Sequence, residues 1–175
     1  MDFSQDHFAL FDLPRRYAQD KSELERLYHE VLARVHPDKH AHLGDAQRRL
    51  AMQWATRVNE AYQTLRRPLS RAQYLLQLAG VDVEKARSMP AEFLMQQMEW
   101  RQAVAEMSEA GAVAELEKLH RRLKQEMEEQ YKRLQSQLDA AGDASFHAAA
   151  DTVRQLMFQE KLLGEIDDAL EATEA

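Results

Sequence analysis

The sequence has no cysteine among its 175 residues. This absence excludes disulfide bonds, thiolate nucleophiles and metal or iron–sulfur sites ligated by cysteines of this chain. No uninterrupted apolar run approaches the roughly 20 residues that a transmembrane helix requires. The first residues, Met1 to His7, carry neither an apolar secretion signal nor an arginine-rich transit pattern. We therefore expect a cytoplasmic protein with no membrane segment.

Turn-forming residues are also scarce, with 5 glycines and 4 prolines, whereas charged residues make up 30% of the chain. Such a composition leaves few turns for a many-stranded protein and favours long helices, so we predict an all-α fold. The charge is uneven, because residues 1–80 hold 12 basic and 10 acidic side chains and residues 81–175 hold 11 and 20. This distribution suggests two modules with different partners. It argues against nucleic-acid binding, which needs a concentrated basic face.

The first half of the chain begins with two predicted helices. The apolar segment 6–13, stopped by Pro14, predicts a short docking helix. Ser22 and Glu25 have the spacing of a capping box, so a second helix is expected to begin near Ser22 and to stop at Pro37. Its apolar face is predicted to consist of Leu24, Leu27, Tyr28, Val31 and Val35.

Two further helices are predicted before residue 80. A long helix over 45–67 is antiparallel to the second, and a short one from Ser70 to Leu78 ends at Gly80, where a left-handed stop is available. The apolar stripe of the long helix is predicted to comprise Leu50, Trp54, Val58, Ala61, Tyr62 and Leu65.

The second half of the chain predicts a separate three-helix bundle. Periodicity is lost between Gly80 and Pro90, which indicates a linker over 79–90 between domains at 1–78 and 91–175. Three helical runs follow, at 91–109, 112–141 and 144–172. The last two carry stripes that can bury one another, namely Leu116, Leu119, Leu123, Met127, Tyr131, Leu134 and Leu138, and Phe146, Val153, Leu156, Leu163, Ile166 and Leu170.

The sharpest local motif is His36-Pro37-Asp38, at the end of the second helix. Pro37 fixes its own φ and biases His36 away from the α region, which predicts a rigid, solvent-facing turn. An exposed histidine and aspartate on such a turn suit recognition of a partner protein. The alternative reading is an ordinary helix stop with a surface aspartate.

The position of this turn between two antiparallel amphipathic helices resembles the J-domain of DnaJ-type co-chaperones over about residues 6–75. A wider resemblance is carried by five segments, namely FALFDLP at 8–14, VHPDKH at 35–40, TLRRPLSRAQYLL at 64–76, FLMQQMEWR at 93–101 and AAADTVRQLMF at 148–158. With these segments, nearly the whole chain resembles the HscB family, the J-domain co-chaperones of iron–sulfur cluster assembly.

The resemblance implies a J-domain joined to a C-terminal helical bundle, and an HscA-type, DnaK-class chaperone as partner. The His36-Pro37-Asp38 turn is then expected to stimulate the chaperone's ATPase, with Asp38 meeting a partner arginine in a charge-assisted contact. The expected chaperone-binding residues are His36, Pro37, Asp38, Arg26, Arg34 and Lys39. The alternative is that the chain is a J-domain adaptor for another DnaK-class chaperone and a different folded client.

A second apolar face is predicted on the helix over 91–109. Gln97, Trp100, Val104 and Met107 cluster in one direction of a helical wheel, as a core face should. Leu94, Met95 and Met98 point nearly opposite, and exposed apolar clusters commonly mark interaction sites. On the last helix, Phe158 likewise falls opposite the apolar stripe. Burial of these residues against the first domain or against a second copy is the alternative.

The resemblance implies that this face binds the iron–sulfur scaffold protein IscU. The expected scaffold-binding residues are Leu94, Met95, Met98, Glu99, Gln102 and Phe158. Apolar contacts would anchor the scaffold, while Glu99 and neighbouring acidic residues would orient it.

Other functional classes find little support in the sequence. A metal site at His36, His40 and His42 would need a helix that Pro37 interrupts, so we expect no bound metal. Phosphate-binding glycine loops and nucleophile elbows are missing, so we expect no catalytic residues and no cofactor. A coiled-coil adaptor would leave the His36-Pro37-Asp38 turn without a role, and a J-protein for general unfolded clients would usually carry Gly/Phe-rich or zinc-binding regions. We expect a monomeric, non-enzymatic co-chaperone.

Overall fold

Seven α-helices and one short 3₁₀ turn make up the secondary structure of the computed structural model, which describes residues 4–36, 44–85, 89–140 and 142–174. No strand occurs within these ranges, and the predicted all-α class is confirmed. The helices pack as two units, Met1–Leu75 and Leu76–Ala175. The limits 1–78, 79–90 and 91–175 stay a proposed functional division. None of the described helices has the length and apolarity to cross a bilayer.

The first unit is built on α1 (His7–Leu10), α2 (Lys21–Val35), α3 (Asp45–Arg66) and the first residues of α4 (Pro68–Leu78). α1 is shorter than the predicted segment 6–13, because Asp12 turns the chain with a φ of 55° and the Leu13 amide donates to the Phe8 carbonyl. Its docking role is nevertheless clear, since Phe8 and Phe11 are both only 1% exposed.

α2 begins within one residue of the predicted start near Ser22, but its capping residue differs from the prediction. The N-cap is Asp20, whose carboxylate accepts the Glu23 amide N–H at 2.8 Å, and the helix begins at Lys21. Ser22 therefore lies inside the first turn, and the capping box assigned to Ser22 and Glu25 was wrong. Asp20 satisfies an amide that would otherwise have no partner at the helix start, as a good N-cap residue does.

The buried stripe of α3 also differs at one end. Trp54, Val58, Ala61 and Leu65 are buried as predicted, but Leu50 is 46% exposed and Ala51 is buried in its place. Ala51 continues the alternating spacing of three and four residues that the rest of the stripe follows. The predicted core position of Leu50 was therefore wrong.

The second unit contains a short 3₁₀ turn at Val83–Lys85 and the helices α5 (Ala91–Glu109), α6 (Val113–Asp139) and α7 (Asp143–Glu174). All three helices pack on one another, and the 3₁₀ turn packs on α7. Their fully buried side chains include Leu116, Leu123, Leu134, Val153, Leu156, Leu162 and Ile166.

Two glycines fix helix ends in this part of the chain. Gly80, with φ 78°, donates its amide to the Gln77 carbonyl, and the next amide reaches Leu76, which is the Schellman pattern. Gly111, with φ 63°, closes α5 in the same way. A residue with a Cβ is strained at such angles, so glycine is favoured at both turns. The predicted stop at Gly80 is confirmed.

Candidate functional site: an apolar cluster on α5 and the turn after α2

The two faces of α5 differ as predicted. Gln97 is 2% exposed, Trp100 8% and Val104 7%, and they turn toward the other helices of the bundle. On the other side, three apolar residues are open to solvent. We call them the α5 cluster: Leu94, 38% exposed, Met95, 63% exposed, and Met98, 71% exposed.

The position of α5 is fixed by polar contacts to α7 and by an aromatic contact to α6. The Arg101 guanidinium donates to the Glu165 carboxylate at 3.0 Å. The guanidinium carbon of Arg122 lies 5.1 Å from the centre of the Trp100 ring, a cation–π contact. These contacts hold the inner face of α5 against its neighbours and leave the α5 cluster on the outer face.

Polar residues next to the α5 cluster are exposed. Gln102 donates through its Nε2 to the Glu106 carboxylate at 2.8 Å, one helical turn further along. Glu99 is exposed and lies beside Met98 in the chain. A partner that covers the apolar side chains would therefore meet carboxylates at the edge of the same surface.

Phe158 is placed differently from the prediction. Its ring meets that of Phe93 edge-on, with ring centres 6.4 Å apart and an interplanar angle of 90°, and both residues are half-buried. Phe158 therefore has an aromatic partner, and the prediction of an unpaired hydrophobic residue at this position was wrong. The exposed apolar residue of this turn of α7 is Met157, at 42%. Met157 is not among the residues predicted from the sequence to form a binding surface.

The turn after α2 begins as its sequence predicts. His36 is the C-cap of α2, with φ −61° and ψ 129°, and it is exposed. This extended conformation is the one that a following proline favours, so the predicted effect of Pro37 on His36 is confirmed. Pro37, Asp38 and Lys39 lie outside the described residues.

Aromatic contacts fix the two helices on either side of this turn. The rings of Tyr28 on α2 and Tyr62 on α3 stack with centres 4.0 Å apart. The Tyr28 hydroxyl donates to the Asn59 side-chain oxygen at 2.9 Å. These contacts hold α2 and α3 together.

The basic residues expected on α2, Arg26 and Arg34, are both exposed. Arg26 forms an ion pair with Glu30, one turn along the same helix. Arg34 lies in the last turn of α2, closest to His36. Of the two arginines, Arg34 is therefore the nearer to His36 along the helix.

No group of three histidine, aspartate or glutamate residues in the ranges that the structure describes is arranged to hold a metal ion. His40 and His42, which would complete the alternative metal site with His36, lie outside the described residues.

Comparison with known proteins gives matches along the whole chain. Residues 89–167 match the family model described as HSCB C-terminal oligomerisation domain. The co-chaperone protein HscB homolog of Azoarcus sp. (strain BH72) is 57% identical over 176 residues, an alignment that covers 99% of this chain and 98% of that relative.

Solved structures agree with these sequence matches. The chaperone HscB from Vibrio cholerae is 34% identical with a TM-score of 0.85, over 95% of this chain and 98% of that one. The human co-chaperone protein HscB is 26% identical with a TM-score of 0.87, over 95% of this chain and 83% of that one. The arrangement of helices described above is thus shared with both.

Proposed function

Because the chain belongs to the HscB family of co-chaperones, we propose that it binds an IscU-type iron–sulfur scaffold protein and delivers it to an HscA-type chaperone, whose ATPase it stimulates. The resemblance predicted from the sequence motifs is confirmed by the relatives and structures above. The co-chaperone role comes with family membership. The two partners and the residues that bind them are the proposed part.

The α5 cluster is the observation that carries the scaffold-binding half of the proposal. Exposure of the α5 cluster does not stabilise the bundle, because burial of each apolar side chain would increase the stability of the fold. Methionine side chains are flexible and polarizable, so they adapt to the surface of a partner. A folded client with a complementary apolar patch fits this face, with Glu99, Gln102 and the half-buried Phe158 at its border.

The turn after α2 carries the chaperone-binding half. The exposed His36 has an extended backbone and lies at the end of a helix that is held by the Tyr28–Tyr62 stack. We propose that His36, Pro37 and Asp38 contact the chaperone directly and that Arg34, Arg26 and Lys39 steer its approach. Asp38 is the proposed anionic group for a partner arginine.

The two halves act together in the proposed mechanism. One chain that holds client and ATPase at the same time raises their effective concentration for each other, so the second binding event becomes intramolecular. The chain itself is proposed to act as a non-enzymatic, monomeric adaptor in the cytoplasm, with no cofactor. Stimulation of the ATPase should then need both the turn and the α5 cluster.

The decisive experiment is the steady-state ATPase rate of HscA, measured with and without scaffold protein. The wild-type chain should stimulate the rate, and stimulation should be synergistic with scaffold. His36→Gln should abolish stimulation while its affinity for scaffold is unchanged. His147→Gln, the same substitution at an exposed histidine of the second unit, is the matched control and should behave like wild type.

Two results would contradict the proposal. Equal, inert behaviour of wild type and His36→Gln would mean that HscA is not the partner, and another DnaK-class chaperone would then be tested in the same assay. If stimulation does not depend on scaffold and Met98→Ala binds scaffold with unchanged affinity, a different client occupies the α5 cluster.

A further inference from the structure

A groove of about 600 Å³ lies between α5 and α7, directly beside the α5 cluster. Its α5 side is formed by side chains at positions i, i+3, i+4 and i+7, which share one face of a helix. Met95 belongs both to this groove and to the α5 cluster, so the two surfaces are continuous. The lining residues are Pro90, Glu92, Phe93, Met95, Gln96, Glu99 and Gln155.

The groove carries negative charge at two points. Glu92 and Glu99 are both exposed and lie seven residues apart, roughly 10 Å along the helix axis. Within the described part of the chain, neither carboxylate has a hydrogen-bond or ion-pair partner. Two carboxylates this far apart along the helix are poorly placed to bind one metal ion, because an oxygen of each would have to lie about 2.5 Å from the metal.

Between the two carboxylates, the groove is lined by apolar side chains and by side-chain amides. Phe93 is held in place by the edge-on contact with Phe158, and Met95 is 63% exposed. The half-buried side chains of Gln96 and Gln155 add hydrogen-bonding groups from the two helices. The groove thus offers an apolar surface with oxygen acceptors around it.

A lysine or arginine side chain has the chemistry that fits this arrangement. Its aliphatic stem can lie on Phe93 and Met95 while its charged head reaches a carboxylate. An anionic group would be repelled by Glu92 and Glu99. An uncharged apolar side chain would cover those carboxylates without replacing the hydrogen bonds that water gives them, which costs free energy.

We propose that this groove receives a lysine or arginine side chain of the scaffold protein, next to the apolar contacts of the α5 cluster. The proposal rests on the function proposed above and names the chemistry of the partner surface. The acidic excess of residues 81–175, 20 acidic against 11 basic side chains, favours the approach of a basic partner surface.

The test is the affinity of the full-length chain for cluster-free scaffold protein, measured by titration calorimetry at low and high salt. Glu92→Gln should weaken binding about threefold to fivefold at low salt, and its affinity should fall less steeply with added salt. Glu128→Gln makes the same change at an exposed residue of α6 and should bind like wild type.

A charge swap makes the test specific for the groove. Glu92→Lys should weaken binding by roughly tenfold or more, because attraction becomes repulsion. Substitution of one scaffold lysine or arginine by glutamate should restore the affinity of Glu92→Lys and of no other variant. Thermal unfolding of each variant confirms that the exposed substitutions leave the fold intact.

The outcomes separate this inference from the function on which it rests. Unchanged affinity of Glu92→Gln, together with a loss for Met98→Ala, would overturn the groove and leave scaffold binding in place. No binding of the wild-type chain would overturn both. If Glu92→Gln instead alters a monomer–dimer equilibrium of the free chain in sedimentation, the occupant is a second copy and the proposal is wrong.

Discussion

The edge-on contact between Phe93 and Phe158 joins the first turn of α5 to the middle of α7, with ring centres 6.4 Å apart. Phe93 is also one of the residues that line the groove between α5 and α7. Neither ring is fully buried, so each contributes both to the bundle and to the outer surface. The structural role and the proposed binding role therefore overlap at Phe158, whereas Met98 has only the proposed binding role.

Phe158→Ala and Met98→Ala should accordingly have different effects. Phe158→Ala removes a half-buried ring and an aromatic pair, and we expect the free energy of unfolding to fall by about 2 kcal/mol. Met98→Ala changes a side chain that is 71% exposed and should change stability by less than about 0.5 kcal/mol. Urea denaturation checks both values.

Scaffold binding by the same pair completes the comparison. Both variants should bind scaffold protein more weakly than wild type, in calorimetry at a temperature where each is folded. Loss of binding in Phe158→Ala alone would mean that the ring, and not the α5 cluster, anchors the partner.

The N-cap of α2 gives a second prediction. Asp20→Ala should lower the free energy of unfolding by about 1 kcal/mol, because the Glu23 amide loses its acceptor at the helix start. Ser22→Ala, two residues later, is the matched control and should change stability by less than about 0.5 kcal/mol. Thermal or urea unfolding measures both. A larger loss for Ser22→Ala would place the helix start where the capping box predicted it.

These two positions show how far local sequence signals determine the fold. Asp20 and Glu23 have the same spacing as Ser22 and Glu25, so the sequence offers two equivalent starts for α2, and only the packed helix selects one. Leu50 and Ala51 both lie within one turn of Trp54, and the larger residue was expected in the core. Helix number, order and class were predictable from periodicity because long amphipathic stripes tolerate such local ambiguity.

The candidate site was predictable to a similar extent. The exposure of Leu94, Met95 and Met98 follows from the wheel of a single helix, which is a local property. The contact of Phe158 depends on which turn of α5 lies beside α7, and that register is a tertiary property. For the same reason the groove lined by Glu92 and Gln155 could not be found from sequence, since these two residues are 63 positions apart in the chain.

A buried amide on α7 gives a third prediction. Gln159 is 1% exposed, and its side-chain oxygen has no hydrogen-bond donor among the described residues. A buried acceptor without a hydrogen-bond donor costs about 1–3 kcal/mol. Gln159→Met keeps the length of the side chain without its polar atoms, so we expect the free energy of unfolding to rise by about 1 kcal/mol.

The control for this prediction is Gln125→Met on α6, an exposed position where no gain is expected. Urea denaturation measures both variants. A loss of stability in Gln159→Met would indicate that the Gln159 amide is hydrogen-bonded in solution.

His7 makes the first unit sensitive to acid. Burial lowers the pKa of His7, and the positive charge of Arg57 lowers it further, while Glu60 and Asp6 oppose the shift. The imidazole stacks on Tyr74 with ring centres 4.2 Å apart. Since the pKa is lower in the folded than in the unfolded chain, the unfolded state takes up a proton first as the pH falls.

The contribution of neutral His7 to the free energy of unfolding is therefore complete above the pKa of about 6.5 in the unfolded chain. It is lost as the pH falls through the pKa of His7 in the folded chain. His7→Phe retains a ring against Tyr74 and removes this titration. We expect its melting temperature to depend less on pH than that of wild type between about pH 7 and pH 5. Parallel curves for the two proteins would show that His7 does not contribute to the acid sensitivity.

The order of contacts along the second unit has a consequence for how it folds. Gln137 and Thr152 pair across only 15 residues near the turn between α6 and α7, Tyr131 and Glu160 across 29, and Arg101 and Glu165 across 64. Loop closure favours the nearest contacts first, so α6 and α7 should close from their turn outward and α5 should dock last. α5, which carries the α5 cluster, would then be the least structured of the three helices in the folding transition state. Core substitutions in α5 should mainly accelerate unfolding, whereas those near the α6–α7 turn should slow refolding.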